Sequence, residues 1–312
     1  MLEIKKIACV TGASGMIGRR ICENLVSQGY HVKALSRQKE FKLEGVEVFN
    51  GNIEDKDILS NFMQNSHLFF HCAAELYDES KMHRINVLAT KLILKLAELY
   101  GIKYFCHLSS VGVIGSTRLK LVDELTPCNP QNMYENSKWD AEQLVACGIN
   151  ECKTVILRPT NVIDEEKKGV LDFSSRGRVA NFCKIFLFGG ECSHIVHAKD
   201  VADVAVYFFS HPTYAKTPQC YIVSSDHEPL NKLSGLWPLY NAYRRGKPIT
   251  SIRPSPHLHL FIPYLLRKIL RGTGNMGDVI YSSKKLLDAG FVFTFGVRGA
   301  VKNIAIKMKE SL

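Results

Sequence analysis

The 312-residue chain is 46% hydrophobic and 22% charged, enough apolar surface for a large core and too much for a disordered polymer. It has no run of about 18 consecutive apolar residues, so a membrane-spanning helix is not expected. The net charge of +10 sits at one end: the last 72 residues hold 13 Lys and Arg against 3 Asp and Glu, and the rest is balanced.

The opening Met1-Leu2-Glu3-Ile4-Lys5-Lys6 lacks the apolar segment of a secretory leader, so a cytoplasmic location is expected. Ile4 to Val10 reads as a strand, Ile17 to Gln28 as a helix, and His31 to Ser36 and Val46 to Asn50 as strands. Asp55 to Met63 reads as a helix and His67 to Cys72 as a strand. A long helix spans about Ser80 to Tyr100, with Leu88, Leu92, Leu96 and Leu99 at helical spacing. Tyr104 to Leu108 is a strand, Gln131 to Cys147 a helix and Thr154 to Leu157 a strand. Past Pro159 the alternation decays: 161–191 reads as loop-rich, His194 to Phe209 follows, and Tyr221 to Ser224 returns to the sheet. Residues 226–312 read as mainly helical, interrupted by prolines. The fold class expected is α/β: a Rossmann-like doubly wound parallel sheet with a smaller, mostly helical C-terminal lobe. The nucleotide-binding domain is placed at 1–160 with a sheet return near 194–225, and the substrate lobe at 161–193 and 226–312. The ten cysteines are scattered with no Cys-x-x-Cys pair, which favours reduced, buried thiols over disulfides or zinc.

Thr11-Gly12-Ala13-Ser14-Gly15-Met16-Ile17-Gly18 lies between the first strand and the first helix. Gly12 permits a tight turn, Gly15 lets backbone approach a pyrophosphate, and Gly18 allows close helix–strand packing. The helix N-terminus then offers N–H groups to phosphate. An NAD site usually carries an acidic residue at the end of the second strand; here stand Ser36 and Arg37, with Lys39 beyond, which favours NADP over NAD. Tyr134 and Lys138 lie four apart on one helix face, where an ammonium would lower the phenol pKa and ready it for proton exchange at a carbinol or carbonyl. Four other pairs share the spacing: Tyr77/Lys81, Tyr243/Lys247, Tyr264/Lys268 and Tyr281/Lys285. Only Tyr134 heads a helix of the β-α series after a strand ending Leu108-Ser109-Ser110, at the carboxyl end where open parallel sheets bind ligands.

These segments, with Gly51-Asn52-Ile53, His71-Cys72-Ala73-Ala74, Asn86-Val87, Ser109 to Gly115, Leu157 to Asn161 and His197 to Ala202, resemble the extended short-chain dehydrogenase/reductase family, in its nucleotide-sugar epimerase, dehydratase and reductase branch. The late Leu286-Leu287-Asp288-Ala289-Gly290-Phe291 is similar to that family's leucine-rich turn. The resemblance implies Ser110, Tyr134 and Lys138 as catalytic residues. It implies Ser14, Met16, Ile17, Asn52, Ile53, Cys72, Ala73, Ala74, Asn86 and Pro159 around the cofactor, beside Gly12, Gly15, Gly18, Ser36 and Arg37 already read there, with Tyr134 and Lys138. Asn161 matches a residue that contacts the substrate diphosphate. Ile163-Asp164 departs from the family's Tyr-Gly, and Val111-Gly112 stands where sugar dehydratases carry an Asp-Glu pair, which argues against dehydration. The activity implied is reduction of a keto group on a nucleotide diphosphate sugar. An epimerase retaining NAD, a reductase of a sterol- or flavonoid-like ketone, and a non-catalytic cofactor sensor stand as alternatives.

Arg158, Arg176 and Arg178 are candidates to clamp a diphosphate, the last two in a loop-like Ser-Ser-Arg-Gly-Arg stretch. His194 with His197, and His257 with His259, lack a third ligand at suitable spacing, so no metal is expected. The basic C-terminal lobe suits an anionic ligand or an acidic lipid surface, or is a solvated face; no nucleic-acid module accompanies the charge. The apolar and basic segment 257–271 is a candidate for peripheral membrane contact, against the alternative of a helix packed on its own domain. A homodimer is left open.

Overall fold

A computed structural model describes residues 6–173, 177–211, 217–246, 249, 252–271 and 277–310. The strands are β1 (Ile7–Thr11), β2 (His31–Ser36), β3 (Val46–Asn50), β4 (Leu68–His71), β5 (Tyr104–Leu108), β6 (Leu121–Val122), β7 (Lys153–Pro159), β8 (Asn161–Ile163), β9 (Ile195–His197), β10 (Gln219–Val223) and β11 (Ile280–Tyr281). The helices are α1 (Met16–Ser27), α2 (Lys56–Met63), α3 (Glu79–Met82), α4 (Ala89–Leu99), α5 (Met133–Ala146), α6 (Arg178–Phe188), α7 (Ala198–Ser210), α8 (Leu233–Arg244), α9 (Phe261–Arg271), α10 (Lys284–Asp288) and α11 (Gly296–Glu310). A π turn, His83–Leu88, joins α3 to α4, so the long helix expected over this stretch is one rod with a widened middle.

Seven strands form one sheet in the order β10-β7-β5-β4-β1-β2-β3. The registers of β1 with β2 and β4, β2 with β3, β4 with β5, and β5 with β7 are all parallel. This is the doubly wound, Rossmann-like sheet expected from the alternation, with its topological switch between β1 and β4.

Contacts divide the chain into two compact units: 1–115, 128–158 and 201–221 in the first; 116–127, 159–200 and 222–312 in the second. In the first unit, Cys9, Phe69, Phe105 and Ile156 belong to a buried cluster with α2 residues Leu59 and Phe62 and α4 residues Ile93 and Leu96. The Phe69 and Phe105 rings stack 5.4 Å apart, and a large apolar side chain buried this way contributes about 1.5–3 kcal/mol. Tyr104 keeps its hydroxyl satisfied by donating to the Ala205 carbonyl at 2.6 Å. In the second unit, Leu236, Leu239 and Tyr240 of α8 form a core with Val301, Ile304 and Ala305 of α11. The pairs β8–β9 and β6–β11 are parallel ladders of that unit.

All ten cysteines are free thiols; Cys9, Cys22 and Cys106 are buried, but Cys147 and Cys183 are exposed, so burial holds only for some. The stretch read as loop-rich contains α6, in which Asn181 and Ile185 turn inward and Asn181 Nδ2 donates to the Phe173 carbonyl at 2.7 Å.

Candidate active site

The chain must reverse between Thr11 and Met16, and the glycines there are dictated by space. Gly12 adopts φ +65°, and a Cβ on it would lie 2.7 Å from the Ala73 nitrogen. A Cβ on Gly18 would stand 2.3 Å from the Gly12 carbonyl oxygen, so the first turn of α1 rests directly on the exit of β1. The N–H of Gly15 donates to the Gly12 carbonyl at 3.0 Å, and Gly15 caps α1 without a side chain. No acidic residue occupies the first turn. The N–H groups of Met16, Ile17 and Gly18 therefore have neither a capping side chain nor a carboxylate in their own turn, and a side-chain-free cradle at a positive helix end fits a pyrophosphate.

Ser14 and Ser36 share a hydrogen bond of 3.2 Å across the end of β2, and Ser36 Oγ also accepts from the Gln38 N–H at 3.1 Å. Arg37 is 62% exposed, 4.0 Å from the Glu75 carboxylate. Asn52 is exposed and donates to Glu54 at 2.8 Å, whereas Ile53 is part of the buried core. Glu75, not singled out in the sequence, lies on the segment after Ala73 and Ala74. Partial burial raises its pKa, but the N–H groups of Tyr77, Asp78 and Leu76 and the Arg37 charge outweigh this and hold it below the usual range.

Thr11, His71 and His107 are register partners in turn across β1, β4 and β5. Thr11 Oγ1 accepts from the N–H groups of Cys72 (3.2 Å) and Ala73 (3.4 Å), so its proton goes to His71 Nδ1 at 2.8 Å. His71 Nε2–H then donates to Thr90 Oγ1 at 2.9 Å, and the Thr90 hydroxyl donates to the Asn86 carbonyl at 2.6 Å. Burial, reinforced by the charge of Lys138, pulls His71 down to about 3, so this chain runs through a neutral imidazole. Asn86 Oδ1 accepts from Glu75 N–H at 2.7 Å, and its Nδ2 donates to the Glu75 carbonyl (3.0 Å) and Ser137 Oγ (2.9 Å). Asn86, expected around the cofactor, spends its whole amide clamping the segment after β4 to α5.

Asn132 caps α5 by accepting from the Glu135 N–H at 2.9 Å, while Glu135 reaches back to the Gln131 N–H at 2.6 Å. This start fixes Tyr134 in the first turn. Ser110 acts on the Tyr134 phenol, favouring its ionised form, and Ser110 Oγ accepts from the Gly112 N–H at 3.0 Å. Ser109 is buried and donates to Glu142 at 2.5 Å, so of the adjacent serines only Ser110 meets the phenol. Lys138 is buried and donates to the Leu108 carbonyl at 2.5 Å; burial pulls it down to about 8 against the opposing effects of Glu142 and Cys72.

The expected lowering of the phenol pKa is not found. Burial raises Tyr134 above its usual value, more than the Ser110 hydrogen bond lowers it, and the Lys138 ammonium is directed to the Leu108 carbonyl. The geometry therefore presents a protonated phenol beside a serine hydroxyl. Arg158 is not a diphosphate clamp: it is buried, and its guanidinium grips Glu142 through Nη2 (2.5 Å) and Nε (3.1 Å). Tyr77 is exposed before α3 begins, and the Lys268 ammonium lies 5.9 Å from the Tyr264 ring centroid on α9, so these two Tyr-x-x-x-Lys spacings belong to surface residues.

In the second unit, Asn161 opens β8 with its Nδ2 donating to the Ser193 carbonyl at 3.0 Å, and Pro159 ends β7, buried. Arg176 lies outside the described residues; Arg178 begins α6 rather than sitting in a loop. Asp164, Glu165 and His197 bring potential ligand atoms within 4.8 Å of one another, a convergence that the sequence spacing did not show.

The profile of the NAD dependent epimerase/dehydratase family matches residues 8–224. The chain belongs to this family. Its members are enzymes that use a nicotinamide dinucleotide, in accord with the cradle at Gly12–Gly18. Among curated relatives it is similar to a decarboxylating sterol-4-alpha-carboxylate 3-dehydrogenase of Dictyostelium discoideum, 29% identical over 213 residues, covering 62% of this chain and 64% of the relative. It is also similar to a 4-hydroxy-2-methyl-3-oxo-4-farnesyl-3,4-dihydroquinoline-1-oxide ketoreductase of Stigmatella aurantiaca, 34% identical over 161 residues, 48% of each chain. The chain thus spans about half to two-thirds of the length of these relatives. A solved short-chain dehydrogenase/reductase superfamily protein of Agrobacterium tumefaciens with bound NAD shares the fold, with a TM-score of 0.74 over 98% of both chains at 19% identity.

Proposed function

We propose that this enzyme reduces a ketone to a secondary alcohol with NADPH. The observation that carries the reading is the placement of Ser110 just past the end of β5 and of Tyr134 in the first turn of α5, with the phenol held protonated by burial. A ketone receiving hydride becomes an alkoxide; Ser110 polarises its oxygen and Tyr134 gives it the proton. A bound nicotinamide would supply the hydride, with its pyrophosphate held by the Gly12–Gly18 turn. Ser36 and Arg37 support the choice of NADPH, since β2 ends without an acidic residue and Arg37 is exposed for a 2′-phosphate.

For the substrate, the names of the two relatives favour an apolar, isoprenoid-like ketone: one acts on a sterol carboxylate and the other carries a farnesyl group in its substrate name. A nucleotide-sugar ketone is the second reading, favoured by Asn161 in the position matching a diphosphate contact. The deciding assay follows NADPH oxidation with a sterol ketone, a prenylated quinoline ketone and keto-sugar nucleotides. Turnover of the first two, with NADPH preferred to NADH, is the expected result. Turnover of the sugar nucleotides alone moves the assignment to the second reading. Near-stoichiometric NAD released from acid-denatured protein overturns the reductase in favour of an epimerase, which recycles its hydride on a retained cofactor.

A further inference from the structure

Helices α6 and α9 pack on one another within the second unit, and each turns an apolar face to solvent. In α6 that face is Val179, Phe182, Cys183 and Phe186, at helical spacing and all exposed, with the two phenyl rings stacked 6.1 Å apart. In α9 it is Phe261, Ile262, Leu265, Leu266 and Ile269; Ile269 is 71% exposed and Phe182 63%. The Leu258 N–H donates to the Phe186 carbonyl at 2.8 Å, so the segment entering α9 is tied to the end of α6 and the two faces belong to one surface. Large apolar residues gathered this way on a folded protein mark a contact surface.

Charge identifies the contact. Neither helix contains an acidic residue, Arg267, Lys268 and Arg271 stand in the sequence of α9, and Lys268, with Arg253 on the segment leading into the helix, is exposed. A second copy docked symmetrically through this face would set these cations against their own counterparts. A surface of lipid phosphates accepts both the cations and the apolar residues. The described helices include none long and apolar enough to cross a membrane, and α9, with 11 residues, suits lying in the interfacial plane.

We propose that the α6–α9 face docks the enzyme onto an anionic lipid bilayer, its aliphatic and phenyl side chains entering the acyl boundary and its cations meeting headgroup phosphates. The docking stands apart from the carbonyl chemistry, because vesicle binding is read on the full chain without substrate or cofactor.

The test is co-sedimentation with phosphatidylcholine vesicles containing or lacking phosphatidylglycerol, beside the double variant Phe182→Asp/Ile269→Asp. Both residues are exposed, so the variant is expected to keep its melting temperature and NADPH binding. The native chain should pellet with phosphatidylglycerol vesicles and be progressively released as salt rises from about 0.1 to about 0.5 M. The double variant should lose at least about tenfold in bound fraction. Native protein that stays in the supernatant, or a folded variant that pellets as well as native, overturns the proposal. So does a native dimer, by sedimentation velocity, that ignores vesicles and that the variant splits, since the face would then belong to a second copy.

Discussion

In the first unit, Thr11, His71, Thr90 and Asn86 are polar and sealed from water; in the second, Phe182, Leu265 and Ile269 are apolar and open to it. The two regions invert the usual partition for different reasons. The sealed polar groups are joined donor to acceptor, and this fixes the segment after β4 and the start of α5, the elements that carry Ala73 and Tyr134. Among the described residues nothing covers the open apolar groups, and the sequence around them is rich in cations, which is what the proposed bilayer contact rests on. Buried polarity here positions chemistry, and exposed apolarity marks an encounter surface.

The contrast predicts where substitution is tolerated. The largest effect should come from Tyr134→Phe, which leaves the ring packed but removes the proton: kcat should fall by about 10²–10⁴-fold, and steady-state kinetics with unchanged melting would show it. Glu142→Ala comes next and acts on stability rather than on turnover. It strands the Arg158 guanidinium in the interior at a loss of about 3–5 kcal/mol, readable as a shifted denaturant midpoint.

His71, held at about 3 by burial with help from Lys138, and His107, lowered by burial together with Lys138 and His71, stay neutral in the folded chain. Unfolded, each takes up a proton near pH 6.5. The His71 contribution is therefore fully present above about pH 6.5 and is lost as pH falls toward about 3, at up to about 1.4 kcal/mol per pH unit, and His107 acts in the same direction. Among the described residues neither ring nitrogen of His107 has a hydrogen-bond partner. His107→Leu should flatten that slope by one proton and stabilise the chain at neutral pH; a midpoint that falls instead would sink this account. Arg37→Ala should weaken NADPH about tenfold, as one lost charge-assisted contact would, and leave NADH unchanged by titration. The smallest effect belongs to the other region: Ile269→Asp should alter folding stability by no more than about 0.5 kcal/mol, while vesicle binding responds.

The β-α alternation made the sheet legible, because each buried parallel strand is a short β-branched or aromatic run and each helix an apolar stripe. The Gly12–Gly18 turn was legible for the same local reason: backbone contact leaves room only for hydrogen. Tyr134 was selected by its place after β5, since its spacing to Lys138 occurs four times more in the chain. The fate of the Lys138 ammonium was hidden, because the Leu108 carbonyl that receives it lies thirty residues away in sequence. The same long-range pairing concealed the Arg158–Glu142 fork and the full commitment of Asn86. Helix α6 was missed because it opens after a glycine- and serine-rich stretch and shows its apolar residues to the outside, the reverse of the pattern by which surface helices are read.

The sheet order also has a consequence for synthesis. Strand β7 is paired on one side by β5 and on the other by β10, and the whole stretch from Asn161 to Pro218 lies between β7 and β10 in the chain. On the ribosome, β7 must therefore wait with a bare hydrogen-bonding edge while that stretch emerges. A nascent chain stalled before Gln219 offers this edge to any neighbouring strand, so the interval between these two strands is the one in which a chaperone has most to protect.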